Sequence, residues 1–565
     1  MIDHITLIIF IIIFLFSNIG YGFIFSRVIN KEYLSLNIGY QGLIGFFFLS
    51  VISMFTSFFF AHSFLFNTSV HLIGILGFIV FIKLHPKFSE LKLLALLVFL
   101  FWIGVYVYKN HDDFAYYHLT YSLNLSENSF IVGTGNFSHG FRTFSSLFYY
   151  HSLLYLPLIK FYLFYIGPFF VLIFSNFILL SEIKNKFEIN KINFTFFFLL
   201  LSFLFINIVF YRIGEHGTDR SAQILLLLIF YLFFDLFYFE KNEKKIFLKL
   251  NVLLILIFFA SSMKAIYYLY LILIPFIFVK KRFIKKFLII KNIFLIIFLS
   301  SSLFLNLITN YLNTGCFLYP AEKTCLVKQQ WSIPKSEVKI MATHYEWWAK
   351  AGGGPGYKHE LEKDEYIKNF QWLDNWIKRH FFNKVSDTLV GIIMMCIVVY
   401  SMFSLSGKKN NVINKNKYLL SYILPLIFLV EWFLNHPAMR YGGYVLFAIP
   451  LFVFVSNFLE EFHFSKNKIY LNSMILIFLT ILIFNGRNLI RINKEINVYK
   501  YDIIKSPYFF IDNVEPELVH KNDKFILYST KNKKMCWASK TPCSYDKNLK
   551  SDKFLWMNMV FRNEQ

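Results

Sequence analysis

Long apolar stretches recur along the chain, and they restrict the fold more than any other feature of the sequence. Of the 565 residues, 57% are hydrophobic, a share far above that of ordinary soluble domains of mixed composition. Hydropathy indicates about fourteen stretches of roughly 17–25 residues, each long enough for a helix to cross a bilayer. The first begins near Ile5 and the fifth near Tyr155. The sequence therefore predicts an all-α polytopic membrane protein with about fourteen transmembrane helices.

The basic residues indicate how these helices are oriented. Lys and Arg concentrate on alternate loops, such as those at 27–31, 83–92 and 184–191. Cytoplasmic loops carry this excess, so both termini are predicted on the exterior, periplasmic side of a bacterial inner membrane. No Lys or Arg precedes the first apolar stretch, which favours a spanning helix over a signal peptide. The net charge of +23 then indicates contact with anionic lipid headgroups and not with nucleic acid.

The same pattern divides the chain into four predicted segments. Residues 1–309 form an N-terminal transmembrane bundle with an acidic exterior loop at 109–150, and residues 310–385 form a large exterior loop. Residues 386–485 supply the C-terminal transmembrane helices, and residues 486–565 form a small exterior α/β cap with a strand at 524–528. In the large loop we expect short helices, joined by the glycines of 352–356, to lie over the site.

Four cysteines fall in segments that are predicted to be exterior, where an oxidising compartment permits disulfides. Cys316 and Cys325 lie in the large loop, and Cys536 and Cys543 lie in the tail. Three pairings are possible for four cysteines, and pairing within each segment is the simplest. Four free thiols remain the alternative.

Polar residues also concentrate in these exterior segments. Asp112 and Asp113 directly follow an apolar stretch, and ionisable groups at a membrane boundary are costly enough to indicate function. We predict both as catalytic residues, because a carboxylate at a wet membrane edge can take a proton from a hydroxyl. The predicted substrate-binding residues share a polar side chain in these loops: His111, Tyr117, His118, Asn136, His139, Arg142, Arg212, Glu215, Asp219, Arg220 and Arg440.

The residue types suggest a reaction at a phosphate. Arginine binds phosphate through its planar fork, and a carboxylate can activate a hydroxyl acceptor. Carboxylate oxygens also suit divalent cations, so Mg²⁺ or Mn²⁺ binding stays open beside the role of a base. No cofactor is certain from the sequence.

A family resemblance agrees with this chemistry. The segment Asp112-Asp113-x-x-Tyr116-Tyr117-His118, followed by Gly133-x-Gly135-Asn136-x-x-His139-Gly140-x-Arg142, resembles the first exterior loop of bacterial GT-C-class membrane glycosyltransferases. It is similar above all to a set of polysaccharide-associated multi-pass membrane proteins. Enzymes of this class take sugars from polyprenyl-phosphate donors and use an acidic residue of that loop as base or metal contact. In typical members the loop follows the first spanning helix, whereas here it follows about the fourth.

Three functions are therefore open. The resemblance implies a glycosyltransferase that moves a sugar from a polyprenyl-phosphate donor to a glycan or glycolipid acceptor in surface polysaccharide or glycolipid assembly. An O-antigen or capsule polymerase also has many helices and a large arginine-bearing exterior loop. A flippase or transporter of lipid-linked glycans would place ionisable groups within the helices and show related halves.

Overall fold

The structure, a computed structural model, describes residues 2–215, 217–281, 292–326, 328–351, 361–409, 418–522, 525–531 and 535–562. It is 71% helical, and eleven of the described helices are long and apolar enough to cross a membrane. They are Asp3–Ile29, Ile38–Ser57, Phe64–Leu84, Phe88–Val105, Gly167–Glu188, Gly217–Phe239, Glu243–Met263, Ile293–Thr314, Leu373–Ser404, Gly443–Glu460 and Lys466–Tyr499. The chain is thus a mostly helical protein suited to a bilayer, as its apolar stretches predict.

Three shorter apolar helices accompany the long ones: Phe194–Val209, Ala265–Lys280 and Leu419–Asn435. The remaining short helices and helical turns include Lys31–Ser35, Thr134–Asn136, His139–Arg142, Glu322–Thr324, Lys335–Lys350, Lys363–Tyr366 and Met439–Tyr441. The fifth apolar stretch begins its helix at Gly167 and not near Tyr155. Before it, Leu158 and Lys160 have φ angles of 72° and 46°, which a right-handed helix does not allow.

Glycines bring the first three helices into close contact. A Cβ atom on Gly45 would lie 1.8 Å from the backbone oxygen of Asn18. A Cβ on Gly20 would lie 1.8 Å from the backbone oxygen of Gly74. Helices in lipid gain little from hydrophobic burial against one another, so this close packing supplies much of their attraction.

Residues 109–153, which we call the acidic insert, are folded more than an exterior loop would be. The π-helical turn Phe114–His118 continues into the helix Leu119–Glu127, and Ser146–Leu153 forms a second helix. Every residue of Ser146–Leu153 is buried. The ring of Tyr150 lies 3.7 Å from that of Phe46 in the span Ile38–Ser57. The expected loop is instead a helical insert packed into one end of the bundle, because its apolar side chains are buried between the spans.

Residues 500–562, which we call the cap, contain the strands of the C-terminal region. Pro516–Asn522 pairs antiparallel with Phe525–Thr530, and Leu549–Phe554 pairs antiparallel with Met557–Arg562. The strand expected at 524–528 is therefore present, although residue 524 lies outside the described residues. The sequence predicts an α/β cap that begins at 486, but the described residues of the cap contain no helix. The last spanning helix continues past 485 and ends at Tyr499, so the cap begins after it.

The cap and the acidic insert are joined by a sheet that crosses between them. Ile131–Val132 of the insert pairs in parallel with the strand Met557–Arg562, placing Ile131 opposite Asn558. Both local disulfides are present, Cys316–Cys325 in the large loop and Cys536–Cys543 in the cap. The loop closed by Cys536–Cys543 also contacts the insert, because Thr120 donates a hydrogen bond to the Trp537 carbonyl at 3.0 Å.

The segments predicted as exterior meet at one end of the helix bundle. His4 near the N-terminus lies 2.7 Å from the carbonyl oxygen of Ile503 in the cap. Glu337 of the large loop accepts a hydrogen bond from Arg562 of the cap at 2.8 Å. At the opposite, basic end, the short strands Lys408–Lys409 and Phe462–His463 pair with each other. The structure thus groups the loops as the charge pattern does, and the charge rule alone predicts which end is exterior.

Cysteine labelling tests that orientation. Lys505 and Lys184 have side chains 85% and 70% exposed and belong to segments predicted on opposite sides of the membrane. Right-side-out membrane vesicles carrying Lys505→Cys should react with an impermeant maleimide, whereas Lys184→Cys should react only in inverted vesicles. The native thiol background should be low, because Cys396 is buried and the other four cysteines are paired. The reverse labelling pattern would overturn the predicted orientation.

Candidate functional site

A cavity of about 440 Å³ lies at the end of the bundle where the acidic insert and the large loop meet. Five stretches of the chain, far apart in sequence, supply its walls. They contribute His111, Asp112, Asp113 and His118; Thr218, Asp219, Arg220 and Gln223; Trp348; His380 and Lys384; and Ala438, Met439, Arg440 and Tyr444. The cavity therefore combines carboxylates, imidazoles and basic side chains.

One group of charges, the Arg440 cluster, consists of Asp113, Asp219, Lys264 and Arg440. Arg440 donates through Nε to Asp219 at 2.9 Å and through Nη2 to Asp113 at 3.1 Å. Lys264 forms an ion pair with the other oxygen of Asp219. Burial alone lowers the pKa of the Arg440 guanidinium, but Asp219 and Asp113 raise that pKa well above its usual value. Arg440 therefore stays charged and holds the acidic insert against the helix Gly217–Phe239.

Aromatic rings cover the cations of this cluster. The guanidinium of Arg440 lies 5.4 Å from the ring centre of Trp348. Trp348 reaches this position because the large loop folds over the cavity. The ammonium group of Lys264 lies 4.4 Å from the ring centre of Tyr441. Such contacts stabilise cations that are partly withdrawn from water. The glycines at 352–356, expected to join the helices of this loop, lie outside the described residues.

Asp112 differs from its neighbour Asp113. It is exposed at the cavity wall, and no hydrogen bond or ion pair joins its carboxylate to another residue in the described part of the chain. Asp113, in contrast, is held by Arg440 and lies 3.9 Å from His111. The two adjacent acids thus have different surroundings, and the carboxylate of Asp112 is available to a ligand.

Two histidines lie beside these acids. The rings of His111 and His118 are 4.8 Å apart in an edge-to-face arrangement. Burial lowers the pKa of His111 to about 4, although Asp113 opposes this shift. Burial, together with His111, also lowers the pKa of His118 well below its usual value. Both rings are therefore neutral near pH 7, and each offers one N–H and one lone pair.

Six of the predicted substrate-binding residues lie outside the cavity lining. Arg142 is buried, donating to Glu337 at 2.8 Å and to the Gly135 carbonyl at 2.9 Å. Arg212 forms an ion pair with Glu215, whose pKa is raised by burial in spite of this partner. Asn136 donates to backbone carbonyls, His139 contacts the Tyr116 hydroxyl, and Tyr117 packs its ring on His118. Arg142, Arg212 and Glu215 are already paired within the protein, so these residues support the structure around the cavity and do not line it.

Sequence reasoning missed Gln223, Lys264, His380 and Lys384. Gln223 could have been found, since it is an amide directly before the apolar run 224–234. Lys264 could also have been noticed as a lysine between two long apolar stretches. His380 and Lys384 belong to the helix Leu373–Ser404, in a polar segment that was expected to lie within the exterior loop.

The carboxylates of the site differ in their described partners. Within the described residues, no group of three His, Cys, Asp or Glu side chains is arranged to hold a metal ion. Asp113 and Asp219 are instead bound by cationic side chains. The carboxylates of this site are therefore arranged for ion pairing and, at Asp112, for direct contact with a ligand.

Comparison with known protein families decides the membership of the chain. Residues 4–447 match the family described as Domain of unknown function (DUF8201). The chain belongs to the DUF8201 family. No curated protein and no solved structure matches it. All described cavity-lining residues of this DUF8201 protein fall inside the matched region, whereas the last span and the cap follow it.

The Arg440 cluster predicts a stability effect in this DUF8201 protein. Arg440→Gln leaves Asp113 and Asp219 with one cation fewer, which should lower the free energy of unfolding by about 1–3 kcal/mol. Lys378→Gln is the control, because Lys378 and Asp374 form a pair that is 70% and 77% exposed and should contribute less than about 1 kcal/mol. Thermal unfolding in detergent measures both. Equal stability of Arg440→Gln and wild type would contradict the role of the cluster.

The low pKa of His111 predicts a pH dependence of stability. An unfolded chain protonates this histidine near pH 6.5, whereas the folded protein does so only near pH 4. The contribution of neutral His111 to the free energy of unfolding is constant above about pH 6.5. It is lost as the pH falls toward 4, because the unfolded state binds the proton first. Between pH 7 and pH 5, the free energy of unfolding should therefore fall by about 1–2 kcal/mol less in His111→Asn than in wild type.

Unfolding midpoints at the two pH values give this difference. His463→Asn is the control, because His463 is exposed in a short strand at the opposite end of the bundle. If wild type and His111→Asn lose the same stability between pH 7 and pH 5, His111 does not carry the effect.

Proposed function

We propose that this protein is a membrane glycosyltransferase that moves a sugar from a polyprenyl-phosphate donor to a glycan or glycolipid acceptor. The reaction would take place on the exterior face of the bacterial inner membrane, in surface polysaccharide or glycolipid assembly. The observation that carries the proposal is the exposed carboxylate of Asp112, free of ion pairs among the described residues, in a cavity that also presents Arg220, Lys384 and Arg440.

Asp112 supplies the base in this proposal. The acceptor hydroxyl attacks the anomeric carbon of the donor sugar and gives its proton to the Asp112 carboxylate. The bond between the anomeric carbon and the phosphate oxygen breaks, and the polyprenyl phosphate leaves with the electron pair. General-base catalysis of this kind contributes about 10²- to 10⁴-fold to a rate. Asp113 positions the site, because its carboxylate is bound by Arg440.

The position of the cavity also suits a substrate with a lipid tail. Lys384 and His380 line the cavity from the helix Leu373–Ser404. Only 22% of the most apolar stretch of this helix is buried within the protein. A helix exposed in this way faces lipid, so a donor could reach the cavity from the bilayer. Basic side chains at the cavity would then balance the charge of the leaving phosphate.

We also propose that the protein crosses the membrane fourteen times. The three shorter helices Phe194–Val209, Ala265–Lys280 and Leu419–Asn435, added to the eleven long ones, would give the expected fourteen. Phe194–Val209 is buried among other helices, where a short span needs no full-length contact with lipid. An even number of spans places both termini on the same side, in agreement with the contact between His4 and Ile503.

The decisive test is a transfer assay in membranes with a panel of polyprenyl-phosphate sugars. Asp112→Asn keeps the shape of the side chain and removes the proton acceptor, so turnover should fall about 10²- to 10⁴-fold with little change in protein level. Asp364→Asn is the matched control, because Asp364 is an exposed carboxylate of the large loop and does not line the cavity.

Other outcomes would favour other functions. Full activity of Asp112→Asn would exclude its role as base and leave the site assignment without support. Elongation of a lipid-linked glycan without use of any single-sugar donor would indicate a polymerase. Movement of lipid-linked glycans across the bilayer without sugar transfer would indicate a flippase.

A further inference from the structure

We propose that Arg220 and Gln223 together recognise the head group of the lipid-linked donor. Arg220 binds the phosphate, and the side-chain oxygen of Gln223 accepts a hydrogen bond from a hydroxyl of the adjoining sugar. This inference rests on the proposed glycosyl transfer and adds to it the residues that distinguish one donor sugar from another.

Gln223 lines the cavity and has a side-chain acceptor that no described residue uses. Its side chain is 0% exposed and lines the cavity, and its Oε1 receives no hydrogen bond from the residues that the structure describes. Its Nε2 donates to the backbone oxygen of Arg440 at 3.2 Å, which fixes the orientation of the amide. Rotating the amide by 180° would place two oxygens against each other, so Oε1 cannot exchange places with Nε2. A buried amide oxygen without a donor is costly, and a ligand hydroxyl would satisfy it.

Arg220 differs from the other arginines that the sequence suggested as phosphate contacts. Arg142, Arg212 and Arg440 are each bound to carboxylates. Arg220 has no carboxylate within ion-pair distance in the described part of the chain, and its Nη1 donates to the backbone oxygen of Arg212 at 3.2 Å. Its remaining N–H groups are available for a phosphate, for which the guanidinium fork is well suited.

The local backbone favours the same ligand. Arg220 and Gln223 lie three residues apart on one face of the helix Gly217–Phe239, and both line the cavity. Arg220 belongs to the first turn of this helix, where the N-terminal end of the helix dipole attracts anions. A phosphate at Arg220 with its sugar directed toward Gln223 would occupy adjacent positions along the helix. Asp112, which belongs to the acidic insert, remains available for the acceptor.

Equilibrium binding to the full-length protein in nanodiscs tests both roles. The probes are polyprenyl phosphate without a sugar, the same lipid with each hexose of a panel, and singly deoxygenated forms of the best-bound hexose. Gln223→Met should weaken binding of the sugar-bearing lipid about 3- to 10-fold and leave the bare lipid phosphate unchanged. Arg220→Gln should weaken binding of every probe by about 10- to 100-fold, because a charged hydrogen-bonding partner is lost.

Deoxygenated donors locate the hydroxyl. One of them should bind wild type about 3- to 10-fold more weakly than the parent donor, yet bind wild type and Gln223→Met equally. Gln41→Met is the matched control: Gln41 is also 0% exposed, but its amide bonds Tyr33 and Ser26 at the basic end. It should cost stability without changing any probe's affinity. Gln223→Glu keeps an acceptor oxygen and should retain the preference for sugar-bearing lipid, even if Gln223→Met folds poorly.

The outcomes separate this inference from the function on which it rests. If wild type binds none of the lipid probes, the proposed glycosyl transfer fails and the subsite fails with it. If wild type prefers a sugar-bearing lipid and Gln223→Met keeps that preference and the full affinity, or if the deoxygenated donors all bind wild type as well as the parent donor does, the role of Gln223 is overturned while the function stands. Unchanged binding by Arg220→Gln would likewise overturn its role at the phosphate.

Discussion

The double ion pair of Arg440 is the interaction on which the cavity depends. Arg440 joins Asp113 and Asp219, which precede it in the chain by 327 and 221 residues. Withdrawing these carboxylates from water is costly unless cations bind them, so the acidic insert and the helix Gly217–Phe239 must approach the chain around Arg440. Once they do, Asp113 is occupied and its neighbour Asp112 is left at the cavity wall. Two adjacent acids thereby acquire different chemical environments.

Contacts outside the cavity hold the acidic insert in this position. Ile131–Val132 is paired with a strand of the cap, and Thr120 is hydrogen-bonded to the loop that the Cys536–Cys543 disulfide closes. Glu337 of the large loop binds both Arg142 of the insert and Arg562 of the cap. The cap therefore acts on the site from a distance: none of its described residues lines the cavity, but it fixes the segment that carries Asp112.

The polar residues that the sequence suggested for the site could be predicted only in part. Asp112, Asp113 and Arg440 stood out because charged side chains beside apolar stretches need a reason to be there. Whether the other suggested residues face the cavity depends on their burial and on the residues that already bind them. Arg142 and Arg212 have the residue type of a phosphate contact, but each is bound to a glutamate that lies elsewhere on the chain or one turn away. No sequence pattern shows whether a guanidinium is already paired, because the pairing depends on distances in three dimensions.

The sequence by itself determined that this chain is a helical membrane protein with a polar end, since apolar length and the alternation of basic loops are local properties. It also indicated a strand near the C-terminus and placed the cysteines so that local pairing was the simplest choice. Only the tertiary structure decided that residues 109–150 form helices within the bundle, that Lys264 and Gln223 belong to the site, and that Asp112 is the acid left without an ion pair among the described residues. These outcomes depend on which distant segments share a buried charge or a hydrogen bond, and such partners are chosen by packing, which the order of residues along the chain does not display.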